Sequence, residues 1–268
     1  VTLQPSEILK ITAILYLSAL ISNKLLKGRK RGWIFTAKKG YHNIKHIFIP
    51  FIVLLTIISV FLVLQPDIST LGIIGLTLVL IYFFSGTSLW NTVLIILIAI
   101  TGFFALIKFE PYRFDRWLIF LYPETDPLGK GLQMKQSLIA IGSGGLFGKG
   151  WGMSSQKFGF LPQAMSDSIF AILGEETGII GSLILVFLFL FFLWLGIKIA
   201  KSSNDKFSQL TALGITFWIT IQAFLNIAAN LGIVPLAGIP LPFFSYGGSH
   251  LVMELIGVGI LLNISKNR

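Results

Sequence analysis

The chain has 268 residues, 54% of them hydrophobic and 13% aromatic against only 12% charged, and its mean hydropathy is +0.84. Those values lie far outside soluble globular usage and place the chain in lipid. Cysteine is absent, which removes disulfide and thiolate-metal frameworks, and the formal net charge of +10 is gathered along one segment rather than over a nucleic-acid-binding face.

Crossing about 30 Å of hydrocarbon takes about 20 mostly apolar residues. Seven stretches are candidates: residues 6–22, 47–64, 69–84, 89–107, 168–196, 210–230 and 246–264. The first is the least apolar and the fifth the longest. Their unbroken apolar runs predict helices, because a barrel would alternate with a period of two. The expected fold class is therefore all-α, a polytopic membrane helix bundle with about seven transmembrane helices.

Between the first two stretches, Asn23 to His46 carries eight Lys and Arg residues and no acid. Such a segment stays on the cytoplasmic side. Alternate crossings then put the N-terminus, "LQPDIST", residues 108–166 and "GIVPLAGIPLPFFSYGGS" outside, with "KSSNDK" and "SKNR" inside. His42 and His46 stand four apart but have basic neighbours and no third ligand, so they read as a solvated face; His250 stands alone and reads the same way. The chain starts at Val1 rather than Met, so upstream sequence is expected to be missing.

Residues 108–166 are the one sizeable segment outside the apolar runs, a long extracytoplasmic loop and the expected active surface. Within it, Leu132 to Ile141 has a short amphipathic pattern suited to the membrane interface or to re-entry. The glycines of "GSGGLFGKG" fit neither a Walker nor a dinucleotide-binding register. They imply either tight turns with positive φ or main-chain contact with an anionic lipid head group.

Acids are expensive beside hydrocarbon, yet "MSDSIFAILGEETG" opens the longest apolar run with Asp167, Glu175 and Glu176. With a helix starting near Ser166, Asp167 falls in its first turn, where a carboxylate can cap free N–H groups. Ala171, Gly174 and Gly178 follow it as a stripe of small residues, which permits close helix approach and turns Asp167 toward the bundle. Glu175 and Glu176 are expected either to be buried in hydrogen-bonded or ion-paired contacts or to serve function directly. A rise of 1.5 Å per residue separates Asp167 from Glu175 by about 12 Å, beyond the roughly 6.5 to 9.5 Å of an inverting hydrolytic pair. Transfer of a sugar from pyrophosphate is less demanding: one base for the acceptor hydroxyl and cations for the leaving phosphates suffice.

The segments "QPSEILK", "LQPDIST", "YRFDRW", "DPLGKGLQMKQSLIAIGSGGLFGKGWGMSSQKFGFLPQAMSDSIFAILGEETG" and "NIAANLGIVPLAGIPLPFFSYGG" resemble the SEDS family of bacterial membrane proteins, the group of FtsW, RodA and SpoVE. The wording is closest to the FtsW and SpoVE branch. The resemblance covers nearly the whole chain. It implies a single membrane domain over residues 1–268, belonging to a ten-helix fold whose first helices are absent here. It further implies a peptidoglycan glycosyltransferase that polymerises lipid II at the outer face of the bacterial cytoplasmic membrane, in cell division or cell-shape maintenance. The implied partners are lipid II, a class B penicillin-binding protein acting as transpeptidase, and other divisome or elongasome membrane proteins, with no nucleic acid.

By the same resemblance Asp167 is the catalytic aspartate, Glu175 and Glu176 are the matched acids that support it, and Glu7 and Lys10 are functionally important. The chemistry then makes Asp167 the base, with Lys10, Arg113, Arg116 and Lys157 as cations for the pyrophosphate, and Glu7 and Ser245 complete the expected substrate-binding set. Arg and Lys suit a pyrophosphate. No resident metal site is implied, although a divalent cation, Mg or Mn, could share the charge. Gln163 and Ser166 stand where the family usually has Glu and Thr, and Glu254 in the last helix matches no family feature. Two competing readings are a flippase for lipid II, with the acids lining its path, and a non-catalytic divisome scaffold.

Overall fold

The computed structural model describes residues 4–28, 47–86, 89–109, 111–126 and 129–266. Most of the basic segment expected to be cytoplasmic, including His42 and His46, lies outside the described residues. All regular structure among the described residues is helical. In chain order the helices are α1 (Pro5–Gly28), α2 (Ile49–Leu64), α3 (Ile68–Phe84), α4 (Leu89–Phe109), α5 (Pro111–Leu121), α6 (Lys130–Ser143), α7 (Ile169–Ser202), α8 (Lys206–Asn230) and α9 (Gly248–Lys266), with a 3₁₀ turn at Pro123–Thr125.

All seven apolar stretches are helical, six of them as single helices, and local chemistry explains several ends. Proline opens α1 and α5, where its missing N–H costs nothing. The Asp67 carboxylate accepts the Thr70 N–H at 3.1 Å and caps α3. By length and composition α7, α8, α9 and the Pro5–Asn23 part of α1 can cross a membrane, and α2, α3 and Trp90–Ala99 of α4 are shorter apolar helices.

The chain divides into two compact units. One comprises residues 1–102, 193–218 and 252–268. Here α1 packs on α3 and α3 on α2, around buried Leu17, Phe51, Ile81 and Trp218. A side chain at Gly214 of α8 would collide with Ile14 and Ile81, so glycine is what lets α8 approach α1 and α3. The other unit comprises residues 103–192 and 219–251. Its core gathers Phe170, Leu185 and Phe189 of α7 with Ala223 and Ile227 of α8 and Leu241.

Two expectations about this second unit need correction. The 108–166 segment is not one loop: α4 runs through Phe109, and α5 and α6 fill much of the remainder, with the amphipathic Leu132 to Ile141 pattern inside α6. The fifth apolar stretch is not one helix either. Gly178 adopts φ 69° and ψ −165° within α7, a backbone that interrupts the helical ladder.

The interruption is filled by main chain from the glycine-rich loop after α6. Lys149 and Gly150 donate their N–H groups to the carbonyls of Glu175 and Glu176, each at 3.0 Å. Ile179 and Ile180 donate to the carbonyls of Gly145 and Leu146 at 2.9 and 3.3 Å. Groups that the break exposes are thereby satisfied internally, as apolar surroundings demand. A Cβ on Gly178 would lie 2.4 Å from the Gly148 nitrogen, so glycine is required by space as well as by conformation. The tight-turn reading of "GSGGLFGKG" is what the structure shows, with Gly145, Gly148 and Gly150 all at positive φ.

Candidate active site

Asp167 stands on the turn that leads into α7, two residues before its first helical residue. The helix therefore begins later than expected, and the N–H groups of Ala171 and Ile172 go to the Ser168 carbonyl. The hold on Asp167 acts on its main chain rather than its carboxylate. Asn226 and Asn230 of α8 donate their side-chain amides to the Asp167 carbonyl at 2.8 and 2.9 Å. Asn226 also donates to the Ile239 carbonyl at 2.7 Å, and Gln222 to the Pro240 carbonyl at 3.1 Å. One polar stripe on α8 thus grips both the Asp167 turn and the "GIPLPFFSYGG" segment.

That segment grips the turn from its other side. The Ser245 hydroxyl donates to the Ser166 carbonyl at 2.5 Å and accepts the Leu241 N–H at 2.7 Å. The Tyr246 N–H donates to the Met165 carbonyl at 2.8 Å, and His250 Nε2 donates to the Ser245 carbonyl at 3.0 Å. Ser245 is buried and its hydroxyl is engaged with main chain on both sides. From α6, Gln133 donates to the Ser168 hydroxyl at 3.0 Å.

The carboxylate itself is half-buried, and Gly238, at φ 64°, leaves room beside it: a Cβ there would sit 3.5 Å from Asp167 Oδ2. Loss of hydration raises the Asp167 carboxyl above its ordinary value, and the Ser166 hydroxyl offsets part of that rise. A carboxylate made more basic, on an immobilised backbone, is suited to accepting a proton.

Glu175 and Glu176 are used differently. Glu175 is fully buried. It accepts from Lys149 Nζ at 2.6 Å, from the Ser154 and Ser155 hydroxyls at 2.5 and 3.0 Å, and from the Gln156 N–H at 3.3 Å. Glu176 pairs with Lys157 Nζ at 2.9 Å, and the same ammonium donates to the Gly152 carbonyl at 2.5 Å. The two acids pin residues 149–157 onto the first segment of α7, and Lys157 is committed to one of them.

Of the other expected site residues, Arg116 lines a narrow crevice with Ile119, Phe120, Met134 and Leu236. Arg113 lies on α5, with its side chain outside the described residues. Glu7 and Lys10 belong to the first unit, where they form a buried pair at 2.8 Å, and Lys10 lies 5.1 Å over the Trp218 ring. Glu254 is fully buried there as well. Among the described residues, no three His, Asp or Glu side chains converge in a way that could hold a metal ion. Asn226 and Asn230 escaped the sequence reading. Their signal was the spacing of Gln222, Asn226 and Asn230 at four-residue intervals on an otherwise apolar helix.

A sequence model of the FtsW, RodA and SpoVE family, described as cell cycle proteins, matches residues 1–268. The chain belongs to this family. Stage V sporulation protein E of Bacillus subtilis (strain 168) is 40% identical over 267 residues, which cover 99% of this chain and 69% of that protein. The probable peptidoglycan glycosyltransferase FtsW of Buchnera aphidicola subsp. Schizaphis graminum is 38% identical over 265 residues, covering 98% of this chain and 71% of its own length. Its counterpart in Idiomarina loihiensis is 36% identical, and the match spans 63% of that longer protein. Two solved structures share the fold across the whole chain. One is a chain of a peptidoglycan synthase complex that coordinates polymerization and crosslinking, with a TM-score of 0.72, 24% identity and 71% of that chain covered. The other is the rod shape determining protein RodA of Thermus thermophilus, with a TM-score of 0.64, 22% identity and 67% of that chain covered.

Proposed function

We infer that this chain is a peptidoglycan glycosyltransferase, an inverting enzyme that polymerises lipid II into glycan strands. Family membership and relatives named as peptidoglycan glycosyltransferases support the activity. The observation that carries the chemistry is the Asp167 turn: a half-buried, basic carboxylate whose main chain is held by Asn226, Asn230 and, through its neighbours, Ser245.

In the proposed step the acceptor sugar's hydroxyl oxygen attacks the anomeric carbon of the donor. A new carbon–oxygen bond forms as the bond to the pyrophosphate oxygen breaks, and the hydroxyl proton passes to Asp167. The pyrophosphate departs with the bonding electrons and needs cations rather than an acid. Arg113 and Arg116 on α5 are the proposed clamp. Lys157 could join only by loosening from Glu176, so its role here is to hold the loop. Glu7 and Lys10, as a buried ion pair, are proposed to maintain the first unit's packing. Residues 1–268 are proposed to work as one membrane domain in the bacterial cytoplasmic membrane. The active face is extracytoplasmic, and a class B penicillin-binding protein is the crosslinking partner, in keeping with the synthase complex that shares the fold.

A transport reading gains one observation, since α7 is broken as helices at transporter sites are. The carbonyls and amides that a transporter leaves open for its cargo are here filled by the glycine-loop main chain. Purified protein supplied with labelled lipid II in detergent tests the choice. Glycan polymer lost on Asp167→Asn is expected. Polymer undiminished in that variant would reject the base, and no polymer from any preparation of wild type with its partner would reject the activity.

A further inference from the structure

The loop between α6 and α7 shows water the wrong side chains. Leu146, Phe147, Trp151, Met153, Phe158 and Phe160 all point outward, Phe147 and Trp151 with 80% of their surface exposed. The loop's two cations are each spent in a pair with an acid of α7, Lys149 with Glu175 and Lys157 with Glu176, although Lys149 still reaches solvent with 38% of its side chain exposed. Six large apolar side chains clustered on the outside of one short loop are a patch that soluble surfaces rarely carry.

The height of this loop on α7 is fixed by the main-chain bonds of Gly145 and Leu146 to Ile179 and Ile180. From Ile179 to Ser202 the second segment of α7 has a length of about 36 Å at 1.5 Å per residue, enough to cross the hydrocarbon unaided. Its basic residues, Lys198 and Lys201, fall at the far end, and its outward side chains include Leu183, Phe187 and Phe191. Gly178 therefore sits at the near edge of the hydrocarbon, with Glu175 and Glu176 just beyond it. At that height the exposed loop residues lie at the interfacial level, where Trp side chains such as Trp151 gather in membranes.

We propose that residues 146–160 form an apolar rim embedded in the head-group and upper acyl region of the outer leaflet. The rim sets the depth of the Asp167 turn, which follows it directly in the chain. Its ligand is the bilayer surface itself. A lipid-anchored sugar pyrophosphate carries its phosphates at that same depth, so the rim would hold the turn level with the bond to be broken. Only this last consequence rests on the glycosyltransferase reading; the location of the rim does not.

The absence of cysteine allows single labelling sites. Phe147→Cys, Trp151→Cys and, as aqueous and lipid references, Glu124→Cys and Leu183→Cys would each carry an environment-sensitive fluorophore in the chain reconstituted alone into phosphatidylglycerol and phosphatidylethanolamine vesicles. Labels at 147 and 151 are expected to be quenched by lipids brominated near the head group as strongly as the label at 183 is by its depth-matched lipid, and to resist aqueous iodide. Both exposed positions carry few contacts, so either variant suffices alone. Iodide quenching equal to that at 124, or shielding that arises only after a second protein is added, would overturn the proposal. Either result can occur with polymerisation intact, which keeps it separate from the activity.

Discussion

The Asn230 side-chain amide donates to the main-chain carbonyl of Asp167 at 2.9 Å, across 63 residues of sequence. Asn226 makes the companion bond and a further one to Ile239. Neither asparagine reaches the carboxylate, so both act by positioning. Asn230→Ala leaves the carbonyl with one donor, and losing a neutral hydrogen bond costs about 1 kcal/mol, about fivefold if expressed in the barrier. The expected outcome is a lower kcat for lipid II polymerisation at unchanged KM. Asn226→Ala should lower kcat and also Tm, because it strands the Ile239 carbonyl. A fall in Tm with kcat unmoved in both variants would reduce the pair to packing.

Burial raises the Asp167 carboxyl, which means that the folded protein favours its neutral form. The sign follows for both activity and stability. A base must be ionised, so the rate should rise with pH through the raised value and level off above it. Stability runs the other way: the ionised carboxylate costs the folded state, and that cost grows as pH rises through the folded value. Asp167→Asn should therefore keep Tm at pH 7 at or above wild type while losing roughly 10²-fold or more in rate, the usual share of general base catalysis. Paired pH profiles and melting curves check it; a variant that melts early and polymerises normally would contradict both halves.

Hydropathy alone made the seven apolar helices legible, since only helices satisfy long apolar runs. The break at Gly178 was not, because a glycine inside an apolar run reads equally as a packing position, and the residues that fill it lie some 30 positions upstream. Charge made Lys157 a phosphate candidate, but its pairing with Glu176 depends on how the loop folds back. Asn226 and Asn230 had a visible period, yet no local rule names a carbonyl near residue 167 as their acceptor. The helix α5 was hidden by its mixed composition, with Arg113, Asp115 and Arg116 spread among aromatics.

Glu175 and Glu176 should behave unequally although they are neighbours. Glu175→Ala removes the acceptor of a lysine, two hydroxyls and a main-chain N–H. The Ser154 hydroxyl is fully buried while Lys149 and Ser155 reach solvent, so the loss should cost about 1.5 to 3 kcal/mol. Glu176 faces one lysine at a partly exposed position, so its loss should cost about 1 kcal/mol. Thermal melting of the two alanine variants at matched expression is the measurement. Equal losses would mean that the loop is held mainly by its main-chain bonds to α7.

Those main-chain bonds make a separate prediction through two glycines that share positive φ. Alanine at Gly145, φ 55°, meets no atom within 4 Å and suffers only the left-handed backbone, about 1 to 2 kcal/mol. Alanine at Gly178, φ 69° and ψ −165°, would enter a backbone region that is essentially reserved for glycine, and it also drives its Cβ to 2.4 Å from the Gly148 nitrogen and 2.5 Å from the Leu146 oxygen. Those are main-chain atoms, which cannot swing aside without pulling the loop off Glu175 and Glu176. Gly178→Ala should therefore destabilise several-fold more than Gly145→Ala. It should also open the loop to protease at residues 149–157, with cleavage there preceding global unfolding. The same thermal stability for both variants, with the loop resistant in each, would mean that α7 can straighten through Gly178 and that the glycine loop does not depend on the break.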